Sequence, residues 1–258
     1  MKKFWLRFVS WFNRKAKNLA IRLVKWTGKS KEYVHPKHLI AEGFHFWFTP
    51  YLKSDDIILD LGCGGGAHTI VAAKVVNCVV GIDHNARNLA IAKRLIENTQ
   101  LRNVSFREAA LEQPLPEPNE AFTGILALDV LEHLVARDQL LKETRRLLKP
   151  GGQLFLSVPN RSTSWKKKLQ QENLFYYSDL DHKHEYEAGE IREILEQHGY
   201  RILHFDPTVY DTPWVGMIDV LGGVSLLLYR QLSKWKHRKT LEEPGEATGF
   251  RIVARKVS

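Results

Sequence analysis

The chain has 258 residues, 44% of them hydrophobic, which suffices for one sizeable α/β core with extensions. Its two cysteines, Cys63 and Cys78, provide neither a metal-ligand spacing nor a disulfide framework and point to a reducing, cytoplasmic compartment. The formal net charge of +9 is concentrated at one end: eleven Lys and Arg against the single acid Glu32 place +10 in residues 1–37, leaving −1 for the rest, which argues against a broad nucleic-acid surface on the body.

Within residues 1–37, Trp5, Phe8, Val9, Phe12, Ala16, Leu19, Leu23 and Trp26 recur at three- and four-residue steps. That spacing predicts a basic amphipathic helix, broken near Gly28. Charges interrupt its apolar runs, so it is not a secretory signal. It reads either as a helix lying in an anionic headgroup layer, on the inner face of a membrane, or as a substrate lid packed on the chain's own domain. The tryptophans and the charge favour the lipid surface. A short helix is expected around Leu39–Leu52.

The core then alternates. Strands are predicted near 57–61, 78–82, 103–107, 122–128, 153–158, 201–206 and 249–256, with helices at about 66–76, 85–98, 130–148 and 188–198. Such alternation implies a parallel sheet covered on both faces. The first strand, Ile57-Ile58-Leu59, runs into Asp60-Leu61-Gly62-Cys63-Gly64-Gly65-Gly66. Gly62 and Gly64 let the backbone pass close to a ligand, Gly66 lets the next helix pack on the strand, and that helix aims its first N–H groups at whatever is bound. The second strand, Cys78-Val79-Val80-Gly81-Ile82, ends in Asp83, placed to accept from both hydroxyls of a ribose. The pair indicates an adenosine-containing cofactor. Gly62-x-Gly64-x-x-Ala67 also satisfies the nicotinamide dinucleotide fingerprint, so the glycines alone leave two cofactor classes.

Strand three leads into Arg107-Glu108-Ala109-Ala110, and strand four into Leu128-Asp129-Val130-Leu131-Glu132-His133, at the sheet edge where open α/β folds bind ligands. Removing a proton from a phenol of pKa about 10 benefits from a base near 6.5, which makes His133 a candidate. In the competing account Glu132 and His133 cap the next helix. Leu147-Leu148-Lys149-Pro150-Gly151-Gly152 precedes the fifth strand. Arg161–Asp181 and Asp211–Thr240 exceed a minimal fold and read as substrate-facing inserts. Between them, Asp181-His182-Lys183-His184-Glu185-Tyr186 holds metal-capable side chains, but such loop clusters are common without an ion and no metal is assigned. The most apolar run, Trp214 to Tyr229, is shorter than the roughly 20 residues of a membrane crossing. Leu226 to Lys236 repeats the apolar, Trp and Lys mixture of the N-terminus, so 1–37 and 211–240 could dock on one lipid surface. All seven tryptophans lie outside residues 53–160.

Asp60 two residues before the first glycine, the Asp129–His133 segment and the Leu147–Gly152 segment together resemble the class I S-adenosylmethionine-dependent methyltransferases, and among them the ubiquinone-biosynthesis O-methyltransferases. The resemblance covers about residues 40–208 and the last strand. It implies a Rossmann-like, doubly wound seven-stranded sheet whose last strand, Phe250 to Lys256, is antiparallel, with S-adenosyl-L-methionine as cofactor. It places Asp60 and the turn of Gly62, Cys63, Gly64 and Gly66 around the methionine portion, Asp83 on the ribose, His84 over the adenine and Leu128 in the same pocket. Where the family often has an Asp for the adenine amino group, this chain has Ala, leaving Glu108 or the backbone of Ala109 and Ala110. His184 falls in a His-x-His-Glu segment like the family's and is the second candidate base. The expected organisation is an N-terminal extension, 1–37, and a methyltransferase domain, 38–258, with inserts at about 161–181 and 211–240. The expected reaction is O-methylation of an apolar or membrane-associated small molecule such as a prenylated phenol. A lipid-linked sugar or specialised metabolite is the alternative acceptor, and a non-catalytic, membrane-associated cofactor-binding module the alternative role. No Asn/Asp-Pro-Pro-Tyr/Phe base-flipping signature follows strand four, so nucleic acid is not an expected substrate.

Overall fold

The fold is described from a computed structural model, for residues 2–31, 33–40, 46–97 and 99–257. In chain order, helices α1 (Lys2–Trp26) and α2 (Pro36–Ile40) precede β1 (Ile57–Leu61), α3 (Ala67–Ala73), β2 (Cys78–Asp83), α4 (Ala86–Glu97), β3 (Val104–Glu108) and β4 (Phe122–Leu128). There follow α5 (Arg137–Leu147), β5 (Leu148–Pro159), α6 (Ser164–Gln171), α7 (Ala188–Gln197), β6 (Tyr200–Pro207), α8 (Val215–Val224), α9 (Leu226–Glu242) and β7 (Gly249–Lys256). Of the helix expected around Leu39–Leu52, the end of α2 and a single 3-10 turn at Thr49–Tyr51 are described, and 41–45 lie outside the described residues. The helix expected over 130–148 starts instead at Arg137, after a 3-10 turn at Leu131–His133.

The chain divides into two compact units. One comprises residues 46–159, 178–206 and 249–258; the other 1–45, 160–177 and 207–248. The first holds a seven-stranded sheet in the order β3-β2-β1-β4-β5-β7-β6. β1 pairs in parallel with β2 and β4, and β7 runs antiparallel to β5. Consecutive residues of the central strands feed opposite faces. Leu59, Ile125, Leu156 and Ile252 pack into one core with Leu140, Leu147 and Ile191, while Ile58, Leu126, Phe155 and Val253 pack into the other with Phe48, Leu52, Ala72 and Ala73. A two-residue period feeding two hydrophobic cores is what a sheet sandwiched between helix layers requires. Each of the larger of these side chains, the alanines aside, contributes on the order of 1.5–3 kcal/mol by leaving water.

The second unit is helical. Within it α1 and α8 approach at backbone distance because their facing residues are small: a Cβ placed on Gly216 would meet Ala16 Cβ at 2.9 Å, and one on Gly223 would meet the Ala20 carbonyl at 2.9 Å. Asn13 of α1 clamps the start of α8, its Nδ2 donating to the Pro213 carbonyl at 3.1 Å and its Oδ1 accepting from Gly216 N–H at 3.0 Å.

Candidate active site

β1 and β2 pair so that Asp60 stands opposite Gly81, and the chain leaves β1 through the glycine turn. Gly62, Gly64 and Gly66 have φ of 68°, 53° and 81°, the left-handed region that only glycine enters at little cost. Two of them are also sterically required. A Cβ on Gly62 would lie 2.7 Å from Val130 Cγ2, and one on Gly66 would lie 2.8 Å from Ala92 Cβ and 2.9 Å from Phe106. At Gly64 no atom of the described residues lies within 4 Å of that position, so among them the middle of the turn faces open space.

Two carboxylates flank the turn. Asp83 Oδ2 accepts from Gly64 N–H at 2.9 Å and its Oδ1 from Asn85 N–H at 2.7 Å, which ties the end of β2 to the glycine loop. Asp60 is 2% exposed, and its Oδ2 accepts from Thr69 Oγ1 at 2.6 Å. Burial pushes its carboxyl up to about 7, against the opposing hydrogen bond from Thr69, and the neighbouring charge of Asp83 adds to the rise. Cys63, buried in the same turn, has its thiol pushed up to about 12 by burial and by both acids, so it lines the cradle as a neutral group. His84 is largely exposed, with Nδ1 3.8 Å from Asp83 Oδ1. The Ala109 N–H donates to the Asp83 carbonyl at 3.2 Å and is thus committed to the sheet, while Glu108 and Ala110 are exposed.

A second group of side chains gathers where β4 ends, just past Leu128. Asp129 has φ 55°, a left-handed backbone rare outside glycine, and accepts from Ser157 Oγ at 2.7 Å. The strained residue turns the chain into the Leu131–His133 turn. Glu132 is 1% exposed and its Oε2 has no hydrogen-bond partner among the described residues. Burial, and then the charge of Asp129, push its carboxyl up to about 9, so at neutral pH it is a protonated acid. The exposed His133 ring meets that of His182 edge-on at 4.8 Å. His182 Nδ1 lies 2.7 Å from Oε1 of the fully buried Glu185, and the Glu132 carbonyl accepts from Lys183 N–H at 2.7 Å, which pins the histidine loop against the β4 turn. A carboxylate on Nδ1 fixes the tautomer that leaves Nε2 as the acceptor.

His184 has a different partner: its Nε2 is 2.7 Å from Glu190 Oε1, at the start of α7, and its ring meets Tyr186 edge-on at 4.8 Å. Neither Glu132 nor His133 caps α5, whose N-terminus has no side-chain cap among the described residues. Just before it, Glu112 Oε1 accepts from Val135 and Ala136 N–H at 2.8 and 3.0 Å, and these bonds hold its carboxyl below the ordinary range. The sequence offers Glu132 only as a helix cap and His182 and Glu185 only as members of a metal-capable loop cluster; that they share a site with His133 is not legible from two motifs far apart in the chain. Among the described residues Glu132, His133 and His182 also offer one ligand atom each, all within 4.8 Å of one another, a donor set that suits a divalent cation once Glu132 gives up its proton.

A parallel sheet with its last strand inserted antiparallel, acids ending its first two strands and a glycine cradle between them define a class I S-adenosylmethionine-dependent methyltransferase. The open space at Gly64 and the two carboxylates fit that cofactor. Residues 52–206, more than half of the chain, match a family model described as a methyltransferase domain, and the chain belongs to that family. It is 35% identical over 107 residues to the mitochondrial ubiquinone biosynthesis O-methyltransferase of Rattus norvegicus, a match covering 41% of this chain and 31% of that protein. To the ubiquinone biosynthesis O-methyltransferase of Pseudomonas aeruginosa it is 37% identical over 105 residues, covering 41% and 45%. The chain thus spans between about a third and a half of these curated relatives. Among solved structures, a SAM-dependent methyltransferase from Methanosarcina mazei superposes with a TM-score of 0.58 at 20% identity, over 82% of this chain and 97% of that one. One from Mesorhizobium loti gives 0.56 at 18% identity, over 81% and 96%. At such identities these structures establish the shared fold.

Proposed function

We propose that the chain transfers the methyl group of S-adenosylmethionine to an oxygen of an apolar acceptor, such as a prenylated phenol, presented at a lipid surface that residues 1–37 and 211–240 contact. When bound, the cofactor supplies an electrophilic methyl on a sulfonium centre. Asp83 accepts from the ribose hydroxyls. Asp60, once its carboxyl is ionised, would hold the amino-acid ammonium. Gly62, Cys63, Gly64, Gly66 and Leu128 form the wall along the methionine portion, and Glu108 or the backbone at Ala110 serves the adenine edge, with His84 over its ring. His133 would take the acceptor's proton, and His182, oriented by Glu185, would support the His133 ring at its edge. His184 is the alternative base.

The observation that supports this reading most is the pairing of His133 with an oriented His182 beside the neutral acid Glu132, at the carboxyl end of β4. Resemblance to the ubiquinone biosynthesis O-methyltransferases supports the acceptor class. Turnover of detergent-dispersed polyprenyl phenols, measured against soluble and lipid-linked sugars, tests it. Methylation of the phenols is expected, and methylation of sugars alone refutes the acceptor.

A further inference from the structure

Helix α1 carries apolar residues on two opposite faces, and the structure covers one of them. Leu6, Val9, Ala16, Ala20 and Val24 are buried, with Ala16 and Ala20 on the side facing the glycines of α8. Phe4, Phe8, Trp11, Leu19 and Trp26 follow one another at four, three, eight and seven residues, which is a single stripe on the other side of the helix. They stay in solvent, Phe4 at 78% and Trp26 at 69% exposure. Lys15 and Arg22 complete the same stripe. The aromatic stripe predicted from sequence is therefore divided, with Val9 and Ala16 turned inward and Phe8, Leu19 and Trp26 outward.

Helix α8 adds a second exposed row, Met217, Leu221 and Val224, and the Trp5 and Trp214 rings meet at 6.4 Å where the two helices begin. The charge along α1 has one sign. α1 has eight Lys and Arg and no acid, and Lys3, Arg7, Arg14, Lys15, Lys17 and Arg22 are all exposed.

We infer that the exposed stripe of α1, extended by that of α8, is the face on which the chain lies against an anionic lipid bilayer, with α1 in the plane of the headgroups. The inference rests on the reading of the acceptor as membrane-presented and specifies the surface that reaches the membrane. Apolar rings at the level of the acyl chains with cations beside them match a layer that is hydrocarbon below and negative above. No helix among the described residues is long and apolar enough to cross a membrane. A second copy of the chain fits the face poorly, because two all-basic helices would be brought together. Nucleic acid would use the cations and leave the Phe and Trp stripe without a role.

Co-sedimentation of the full chain with phosphatidylcholine vesicles that contain or lack phosphatidylglycerol tests the inference. Binding to the anionic vesicles alone is expected. Lys15→Gln with Arg22→Gln should weaken it about 25-fold, near fivefold per charge. Phe8→Ser with Trp11→Ser should weaken it at least about tenfold. Both double variants should keep S-adenosylhomocysteine affinity by calorimetry, since all four side chains are in solvent. Absence of binding to anionic vesicles, equal binding to neutral ones, or a dimer that Phe8→Ser with Trp11→Ser dissolves would each overturn the docking face. Because no turnover is read, phenol methylation in detergent without vesicle binding would remove this face and leave the acceptor standing, and the converse result would do the opposite.

Discussion

Replacing Asp60 by Asn should make the cofactor-free chain more stable at neutral pH while damaging its binding site. The carboxyl is ordinarily near 3.8 and is raised to about 7 because folding removes it from water. An acid whose folded value is raised holds its proton in the native state over a range where the unfolded chain has lost it. Folding then takes up a proton, and stability falls as pH climbs from about 4 to about 7, levelling above. Three decades of proton affinity at about 1.4 kcal/mol each amount to about 4 kcal/mol by pH 7. Asn has no such penalty and its oxygen can still accept from Thr69 Oγ1, the bond that Asp60 makes at 2.6 Å. It forfeits the stronger bond of an ionised acceptor, so a net gain of roughly 2–4 kcal/mol at pH 8 is expected. Urea unfolding of both proteins across pH provides the assay. The mutant's advantage should widen by roughly 2–3 kcal/mol between pH 5 and 7 and then hold constant. Parallel curves would show that Asp60 titrates in the fold as it does unfolded, and the account of a desolvated carboxyl poised for a cation would fail. In the same variant S-adenosylhomocysteine should bind at least about tenfold more weakly, because the ammonium loses its counter-charge.

Gly62→Ala should cost roughly 1–3 kcal/mol, from a left-handed backbone and a Cβ 2.7 Å from Val130 Cγ2. Adding Val130→Ala should relieve the clash and not the backbone strain, so full recovery in thermal melts would contradict the geometry. Asp83→Asn should weaken cofactor binding in calorimetry by about tenfold or more while the chain remains folded; unchanged affinity would mean that the ribose is held elsewhere. His133→Ala should lower kcat about a hundredfold at neutral pH. His184→Ala, which breaks the contact with Glu190, should cost about 0.5–1.5 kcal/mol of stability and little turnover. The opposite order in a steady-state assay would move the base to His184.

The alternating strands and helices of the sheet, and the turn with its three left-handed glycines, could be read directly from sequence because their causes are local. Apolar period, turn chemistry and an acid at a strand end all lie within a few contiguous residues around Ile57–Gly66 and Cys78–Asp83. Periodicity says that α1 is apolar on one side or more. It cannot say that Ala16 and Ala20 meet the α8 glycines while Phe8 and Trp11 are left in water, since that division belongs to a partner some 200 residues away in the chain. The grouping of 1–45 with 160–177 and 207–248 in one compact unit is likewise a result of packing. At the end of β4, only folding brings His182, held by Glu185, to His133 and leaves Glu132 buried with no partner at Oε2 among the described residues. Proton affinity and side-chain convergence depend on what surrounds a group in three dimensions, and neighbours in sequence do not carry that information.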